Sequence, residues 1–172
     1  MRAFTFENAT KIYFGGGCVK EHLLEAVKPY GETVMLAYGG GSIKTNGIYQ
    51  EVMDVLKLAG KQVIEFSGIM PNPTYSKVME GKKVVQENQV DLILAVGGGS
   101  VMDCSKAISM AAATDKDVWE EYWIKKGEID FEPVPVGVIV TVVGTGSEVN
   151  GEGVITHEEQ KIKTSRNYPR CN

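Results

Sequence analysis

Asp91-Leu92-Ile93-Leu94-Ala95-Val96-Gly97-Gly98-Gly99-Ser100-Val101-Met102-Asp103-Cys104-Ser105-Lys106 decides how this chain folds. The run 91–96 has the length of a strand and is apolar on both faces, as a strand buried inside a parallel sheet must be. Three glycines come next, then a segment with helical periodicity. A strand that ends in glycines and opens into a helix is a place to hold phosphate. The glycines let backbone approach the anion, and the first helical N–H groups point at it with the dipole behind them. The same device stands earlier in the chain, where Thr33-Val34-Met35-Leu36-Ala37-Tyr38 runs into Gly39-Gly40-Gly41-Ser42. Two such turns imply a ligand with more than one phosphate group, such as a dinucleotide. The plainer reading is a glycine turn chosen for tight strand–helix packing, but three consecutive glycines are costly in backbone entropy for that alone.

The rest of the chain repeats the alternation. Phe4 and Phe6, then Ile12, Tyr13 and Phe14, read as short opening strands. Gly15-Gly16-Gly17 leads into an amphipathic helix carrying Val19, Leu23, Leu24 and Val27, ended by Pro29 and Gly31. After the strand at 33–38, apolar spacing predicts one helix from about Ile43 to Ala59, closed by Gly60. Gln62 to Phe66 is a strand. Thr74, in the loop Pro71-Asn72-Pro73-Thr74, caps a helix running to about Asn88. A helix at 100–113 succeeds the central strand, then a short aromatic helix around Trp119, Tyr122 and Trp123. Val136 to Val142 is a strand behind two prolines, and Val149 to Thr156 is a further one. Strands alternating with helices predict an α/β fold with one parallel sheet and helices on both faces, in a single domain over 1–172.

Composition narrows the function. A chain of 172 residues with 43% hydrophobic and 23% charged residues has the make-up of one well-cored globular domain. A formal net charge of −4 argues against a nucleic-acid partner. No apolar run is long enough to cross a membrane, and Met1 to Glu7 lacks the apolar core of a signal peptide. Cys18, Cys104 and Cys171, odd in number and widely spaced, fit reduced thiols in a cytoplasmic protein. His22 and His157 lie apart and outside any H-E-x-x-H pattern, so no metal ligand is assigned. No stretch matches G-x-G-x-x-G, the P-loop or the G-x-S-x-G elbow.

Candidate binding residues cluster at strand ends. Around the second glycine turn they are Gly97, Gly98, Gly99 and Ser100, the serine capping the helix or bonding a phosphate oxygen, with Asp103 one turn in. Spacing alone leaves Asp103 and Lys106 the plainer reading of a solvated ion pair. Around the first turn they are Gly39, Gly40 and Ser42. Dinucleotide folds place an acid near such a strand end to take the ribose hydroxyls, and that acid repels a 2′-phosphate. From Tyr38 to Lys44 there is no acid but a hydroxyl and a cation, which favours NADP and leaves NAD open. Gly144-Thr145-Gly146-Ser147-Glu148, after another strand, offers hydroxyls and bare backbone on the same sheet edge.

The order and spacing of these motifs resemble the iron-containing, or group III, alcohol dehydrogenase family. The matching elements are Thr10-Lys11-Ile12-Tyr13-Phe14-Gly15, Pro71-Asn72-Pro73-Thr74, Gly97 to Ser100 with Asp103 and Lys106, and Gly144 to Glu148. Tyr38-Gly39-Gly40-Gly41-Ser42-Ile43-Lys44 looks like the branch of butanol dehydrogenases and broad aldehyde reductases. The resemblance implies a Rossmann-like sheet of the dehydroquinate synthase-like N-terminal type. It implies that Gly98, Gly99 and Ser100 hold a pyrophosphate and that Gly39, Gly40 and Ser42 lie near the adenosine ribose. It further puts Asn72 on the adenine side, Thr141, Thr145 and Asn150 along the nicotinamide, and Lys163 within reach of the cofactor. Val142-Val143 departs from the threonine or small residues of many relatives.

The resemblance also implies a divalent metal, iron or zinc, bound by one Asp and three His in a C-terminal helical domain. This chain ends at Arg170-Cys171-Asn172 before that domain would begin, and the abrupt ending reads as that of a fragment. The expected partners are a nicotinamide dinucleotide, a small alcohol or aldehyde, and a second copy in a homodimer, the opening strands pairing across the two-fold axis. Two alternatives stay open: a non-catalytic nucleotide-binding fragment, and a glycerol dehydrogenase-like relative with other chemistry.

Overall fold

Four runs of branched and apolar residues build the sheet. The computed structural model describes residues 10–167. In it β1 (Thr33–Tyr38), β2 (Gln62–Phe66), β3 (Leu92–Gly97) and β4 (Val136–Val140) lie parallel in the order β2-β1-β3-β4. The central pair explains its own composition, since β3 is buried at every position and β1 at all but Thr33. β2 stands at the edge, so it keeps the polar Gln62 and Glu65.

The two-residue period of the strands sorts the core into two layers. Val34, Leu36 and Tyr38, with Leu92, Leu94 and Val96, face α1 (Cys18–Val27) and α3 (Ile48–Leu58) through Leu23, Val27, Val52 and Leu56. Met35 and Ala37, with Ile93 and Ala95, face α4 (Tyr75–Glu87) and α5 (Gly99–Ala112). Each fully buried aliphatic side chain in these layers contributes about 1.5–3 kcal/mol. Where α4 meets α5, Gly81 lies so close that a Cβ there would fall 2.3 Å from Ile108 Cδ1.

α5 is enclosed on almost every side because a second unit covers it. β5 (Glu152–His157) and β6 (Ile162–Asn167) form an antiparallel hairpin. The hairpin joins the loop before α4 through Thr156 N–H donating to Pro73 O at 3.0 Å. Trp119, Tyr122 and Trp123 are buried in one π-helical turn, Trp119–Ile124. No helix among the described residues is long and apolar enough to cross a membrane.

Several boundaries depart from the sequence expectations. The single helix of 43–59 is two, because Gly47 turns left-handed at φ 86 between the one-turn α2 (Ser42–Thr45) and α3. Ile12 to Phe14 form no strand: no described segment pairs with them, and Phe14 is 99% exposed. Phe4 and Phe6 lie outside the described residues. β4 stops at Val140, and the strand expected from Val149 begins at Glu152 after a 3₁₀ turn over Ser147–Val149. β6 has no counterpart among the expected strands.

Candidate functional site

The strand order creates the crevice. From β1 the chain crosses to β2 on one side; from β3 it crosses to β4 on the other. Open α/β sheets bind ligands at such a reversal, outside the carboxyl ends of the two strands. Tyr38 pairs with Val96, so the two glycine turns leave the sheet side by side. Both pack on Val101: a Cβ on Gly39 would lie 3.9 Å from its Cγ2, and one on Gly97 only 2.6 Å.

At the second turn the helix starts one residue earlier than its serine suggests. Gly98 is the N-cap, in extended conformation and without a side-chain bond, so Ser100 sits inside the first turn and does not cap. Val101 and Met102 N–H both donate to Gly98 O, at 3.0 and 3.2 Å. The Gly99 and Ser100 amides head the helix, where no intrahelical acceptor exists. The loop after β4 lies against these glycines. Thr141 N–H donates to Gly97 O at 3.0 Å, and a Cβ on Gly99 would fall 2.7 Å from Thr145 Cγ2. Val142 and Val143 project from this edge, 67% and 79% exposed.

Asp103 and Lys106 are not a solvated pair; they anchor that loop from below. Lys106 is 2% exposed. Its Nζ donates to Ser147 O (2.5 Å), Ser147 Oγ (2.8 Å), Asn150 O (2.7 Å) and Glu152 O (3.0 Å). Ser147 Oγ donates in turn to Asp103 Oδ1 at 2.7 Å, while Val154 N–H donates to Oδ2 at 3.2 Å. Burial pushes the Asp103 carboxyl above its ordinary range, and these two hydrogen bonds oppose the shift. Asn150 is committed to the same loop: its Nδ2 donates to Gly146 O at 2.9 Å, and its Oδ1 accepts from Glu152 N–H at 2.8 Å.

The first turn is built differently. Gly41 holds φ 103, a left-handed conformation that a side chain strains, and Ser42 then opens only the four residues of α2. Beside it, Glu65 on β2 collects three donors. Tyr38 OH reaches Oε2 at 2.5 Å, Lys44 Nζ reaches Oε2 at 3.1 Å, and Tyr49 OH reaches Oε1 at 2.7 Å. The two tyrosine hydroxyls, with help from Lys44, hold the carboxyl down at about 2. The hydroxyl of Tyr38 and the carboxylate of Glu65 raise the Lys44 ammonium above its ordinary value. Tyr38, Gly39, Gly40, Gly41, Lys44, Ser67 and Gly68 line a concavity of about 280 Å³.

Sequence reasoning missed Glu65. No acid lies in the loop itself, as expected, but the neighbouring strand supplies one. The signal was available, because an acid at the end of the strand after a glycine turn is the usual ribose-binding arrangement. Two expected residues distant in sequence do meet: Lys163 Nζ on β6 donates to Asn72 Oδ1 at 2.6 Å. The loop carrying Asn72 passes the first turn, where Gly68 N–H donates to Gly39 O at 3.1 Å.

Elsewhere the chemistry is sparse. His157 stacks on Tyr75 and His22 on Tyr13. Among the described residues no three His, Cys, Asp or Glu side chains converge as a metal site would require. A larger concavity, about 510 Å³, sits at the C-terminal end of α5 between Ala112–Lys116 and Asp130–Phe131, away from the strand ends.

Comparisons with known proteins show the family and the fold. The family model described as "Iron-containing alcohol dehydrogenase" matches residues 9–172. The probable NADH-dependent butanol dehydrogenase 1 of Bacillus subtilis is 46% identical over 163 residues, covering 95% of this chain and 41% of that protein. The NADPH-dependent aldehyde reductase YqhD of Escherichia coli is 38% identical over 159 residues, covering 92% of this chain and 40% of that protein. The crystal structure of NADH-dependent butanol dehydrogenase A from Thermotoga maritima superposes with a TM-score of 0.93 at 40% identity, over 99% of this chain and 42% of that one. The chain therefore spans about two fifths of the length of the curated relatives it matches.

Proposed function

The chain belongs to the iron-containing alcohol dehydrogenase family, and from that premise we propose that residues 1–172 are the dinucleotide-binding domain of an alcohol dehydrogenase or aldehyde reductase. The whole protein would move hydride between NAD(P)H and a small alcohol–aldehyde pair. The observation that carries this reading is the register that sets two Gly-Gly-Gly-Ser turns side by side at the reversal of strand order. The residues fit a dinucleotide. A Cβ on Gly40 would meet nothing within 4 Å, and the head of α5 presents amides toward the same crevice.

In this reading the Gly98, Gly99 and Ser100 backbone binds the pyrophosphate, and Gly39, Gly40 and Ser42 border the adenosine ribose. Thr141 and Thr145, with the exposed Val142 and Val143, form the floor for the nicotinamide. The Lys106–Ser147–Asp103 network acts beneath the site by keeping the 144–150 loop against Gly99. Asn72 and Lys163 act as a pair at the far rim. When bound, the nicotinamide supplies the hydride acceptor or donor. The described residues offer no metal site, so we place the ligands of a family iron or zinc outside them and route no step through it. We further read the protein as a cytoplasmic homodimer that takes NADP, favoured by the Lys44 cation at the first turn, and accepts NAD, the Glu65 carboxylate beside that cation weakening the preference.

Calorimetric titration with NADPH and, in parallel, NADH tests the reading. Saturable binding of both, NADPH the tighter, is expected. A folded sample that binds neither overturns it.

A further inference from the structure

Lys163 belongs to β6, yet its Nζ meets Asn72 Oδ1, 91 residues earlier in the chain. Asn72 stands left-handed at φ 56 between Pro71 and Pro73. A side chain and a following proline both disfavour that conformation, so it persists where surrounding contacts hold it. The contacts come from the hairpin. Thr156 is directly opposite Lys163 in the ladder; its N–H donates to Pro73 O at 3.0 Å, and it pairs with Thr74 as a single parallel bridge. Beyond it, in the hairpin turn, Glu158 reaches the head of α4. Its carboxylate accepts from the Ser76 hydroxyl and from the Ser76 N–H, the latter at 3.4 Å. That N–H lies in the first helical turn, where no intrahelical acceptor exists. Thr74 Oγ1 takes the Lys77 N–H, so Glu158 completes the cap from 82 residues away.

We propose that Glu158 is a positioning residue: by fastening the hairpin turn to the head of α4 it fixes β6 against the 71–74 loop, and so holds the Lys163 ammonium at the rim of the crevice. The carboxylate acts through Lys163, because both of its oxygens are already engaged by Ser76. The competing role is a helix cap alone, which stabilises α4 and does nothing for a ligand. Charge gives the two roles opposite signs. Glu158 is exposed and a nicotinamide dinucleotide is anionic, so removing the carboxylate as a mere charge strengthens binding. Removing it as a fastener weakens binding, and does so only where Lys163 is present to be misplaced.

The inference rests on the reading of the crevice as a dinucleotide site, and a double-mutant cycle keeps the two apart. Wild type, Glu158→Ala, Lys163→Met and the double variant are titrated calorimetrically with NADPH, each checked for folding by circular dichroism. Lys163→Met is expected to weaken binding about tenfold, the scale of one charge-assisted hydrogen bond. Glu158→Ala is expected to weaken it about three- to tenfold when Lys163 is present and less than about twofold when it is not. Glu158→Gln keeps an oxygen for the Ser76 hydroxyl and is expected to stay within about twofold of wild type. If Glu158→Ala does not fold, Ser76→Ala loosens the same fastening from the α4 side and completes the cycle. If wild type binds NADPH but loss of the fastening leaves affinity unchanged, raises it, or lowers it equally with and without Lys163, the inference is overturned and the dinucleotide reading stands. If folded wild type binds neither NADPH nor NADH, both fall.

Discussion

Gly39-Gly40-Gly41-Ser42 and Gly97-Gly98-Gly99-Ser100 share a sequence and a position at the end of a central strand, yet they are different structures. The second opens into fourteen residues of buried helix and is packed from above by Thr145 and from within by Val101. The first opens into one turn, with a left-handed glycine on either side of it and charged side chains at its wall. The difference teaches that a glycine motif specifies only a backbone that can come close. The segment on its C-terminal side decides whether the loop is packed tightly under a helix or left open beside charged side chains. In this molecule the head of a long helix stands at the second turn, and charged side chains stand at the first.

The strongest way to break the comparison is to loosen the packing that makes the second turn rigid. Lys106→Met removes the ammonium from four backbone and hydroxyl acceptors in the 147–152 segment, the two on Ser147 in a buried place and those on Asn150 and Glu152 in a partly buried one. The cost is expected to be about 2–4 kcal/mol of unfolding free energy. Chemical denaturation measures it. A loss under about 0.5 kcal/mol would mean that water replaces the lysine and that the loop is not held as described.

A milder pair of changes asks whether the two turns differ in crowding. An alanine Cβ at Gly97 would fall 2.6 Å from Val101 Cγ2 and 2.9 Å from its Cβ, and that valine is buried in α5. Gly97→Ala is expected to destabilise by about 1–3 kcal/mol. Gly40→Ala meets nothing within 4 Å and is expected to leave stability within about 0.5 kcal/mol. It should still weaken NADPH and NADH binding, because the methyl group enters the space a nucleotide would use. Normal affinity in Gly40→Ala would move the nucleotide off the first turn.

Local pattern carried most of the fold. β1 and β2 stand where apolar runs between turn signals put them, at Thr33–Tyr38 and Gln62–Phe66. Thr74 caps α4 as expected, accepting from Lys77 N–H at 3.3 Å. The failures come from effects that local pattern does not contain. Apolar spacing runs straight through Gly47, so nothing periodic marks the break between α2 and α3. β6, with Lys163, Thr164, Ser165 and Arg166, has no apolar alternation because it is half exposed and defined by its partner strand. Lys106 reads as surface until the hairpin that buries α5 is known. Glu65 reaches Lys44 only because β2 lies beside β1, a register that no short window reveals. The glycine turns of the candidate site were legible; the charged side chains around them needed the topology.

The smallest expected effect sharpens the comparison by its sign. Tyrosine hydroxyls depress the Glu65 carboxyl to about 2, while burial raises that of Asp103 beneath the second turn. A depressed carboxyl adds stability that is complete above its ordinary 4.5 and disappears as pH falls toward about 2. A raised carboxyl does the opposite. Its cost is complete above the raised value and is relieved as pH falls from there through the ordinary 3.8. Unfolding free energies of wild type, Glu65→Gln and Asp103→Asn measured through that acid range read both. The advantage of wild type over Glu65→Gln should shrink on acidification. Wild type should gain on Asp103→Asn over the upper part of the same range. The Glu65 side chain is 40% exposed, so solvent screening limits its share to roughly a few tenths of a kcal/mol. If the two gaps move in the same direction, the two turns do not differ electrostatically, and the contrast between a buried carboxyl under one and a hydrogen-bonded carboxyl beside the other fails with them.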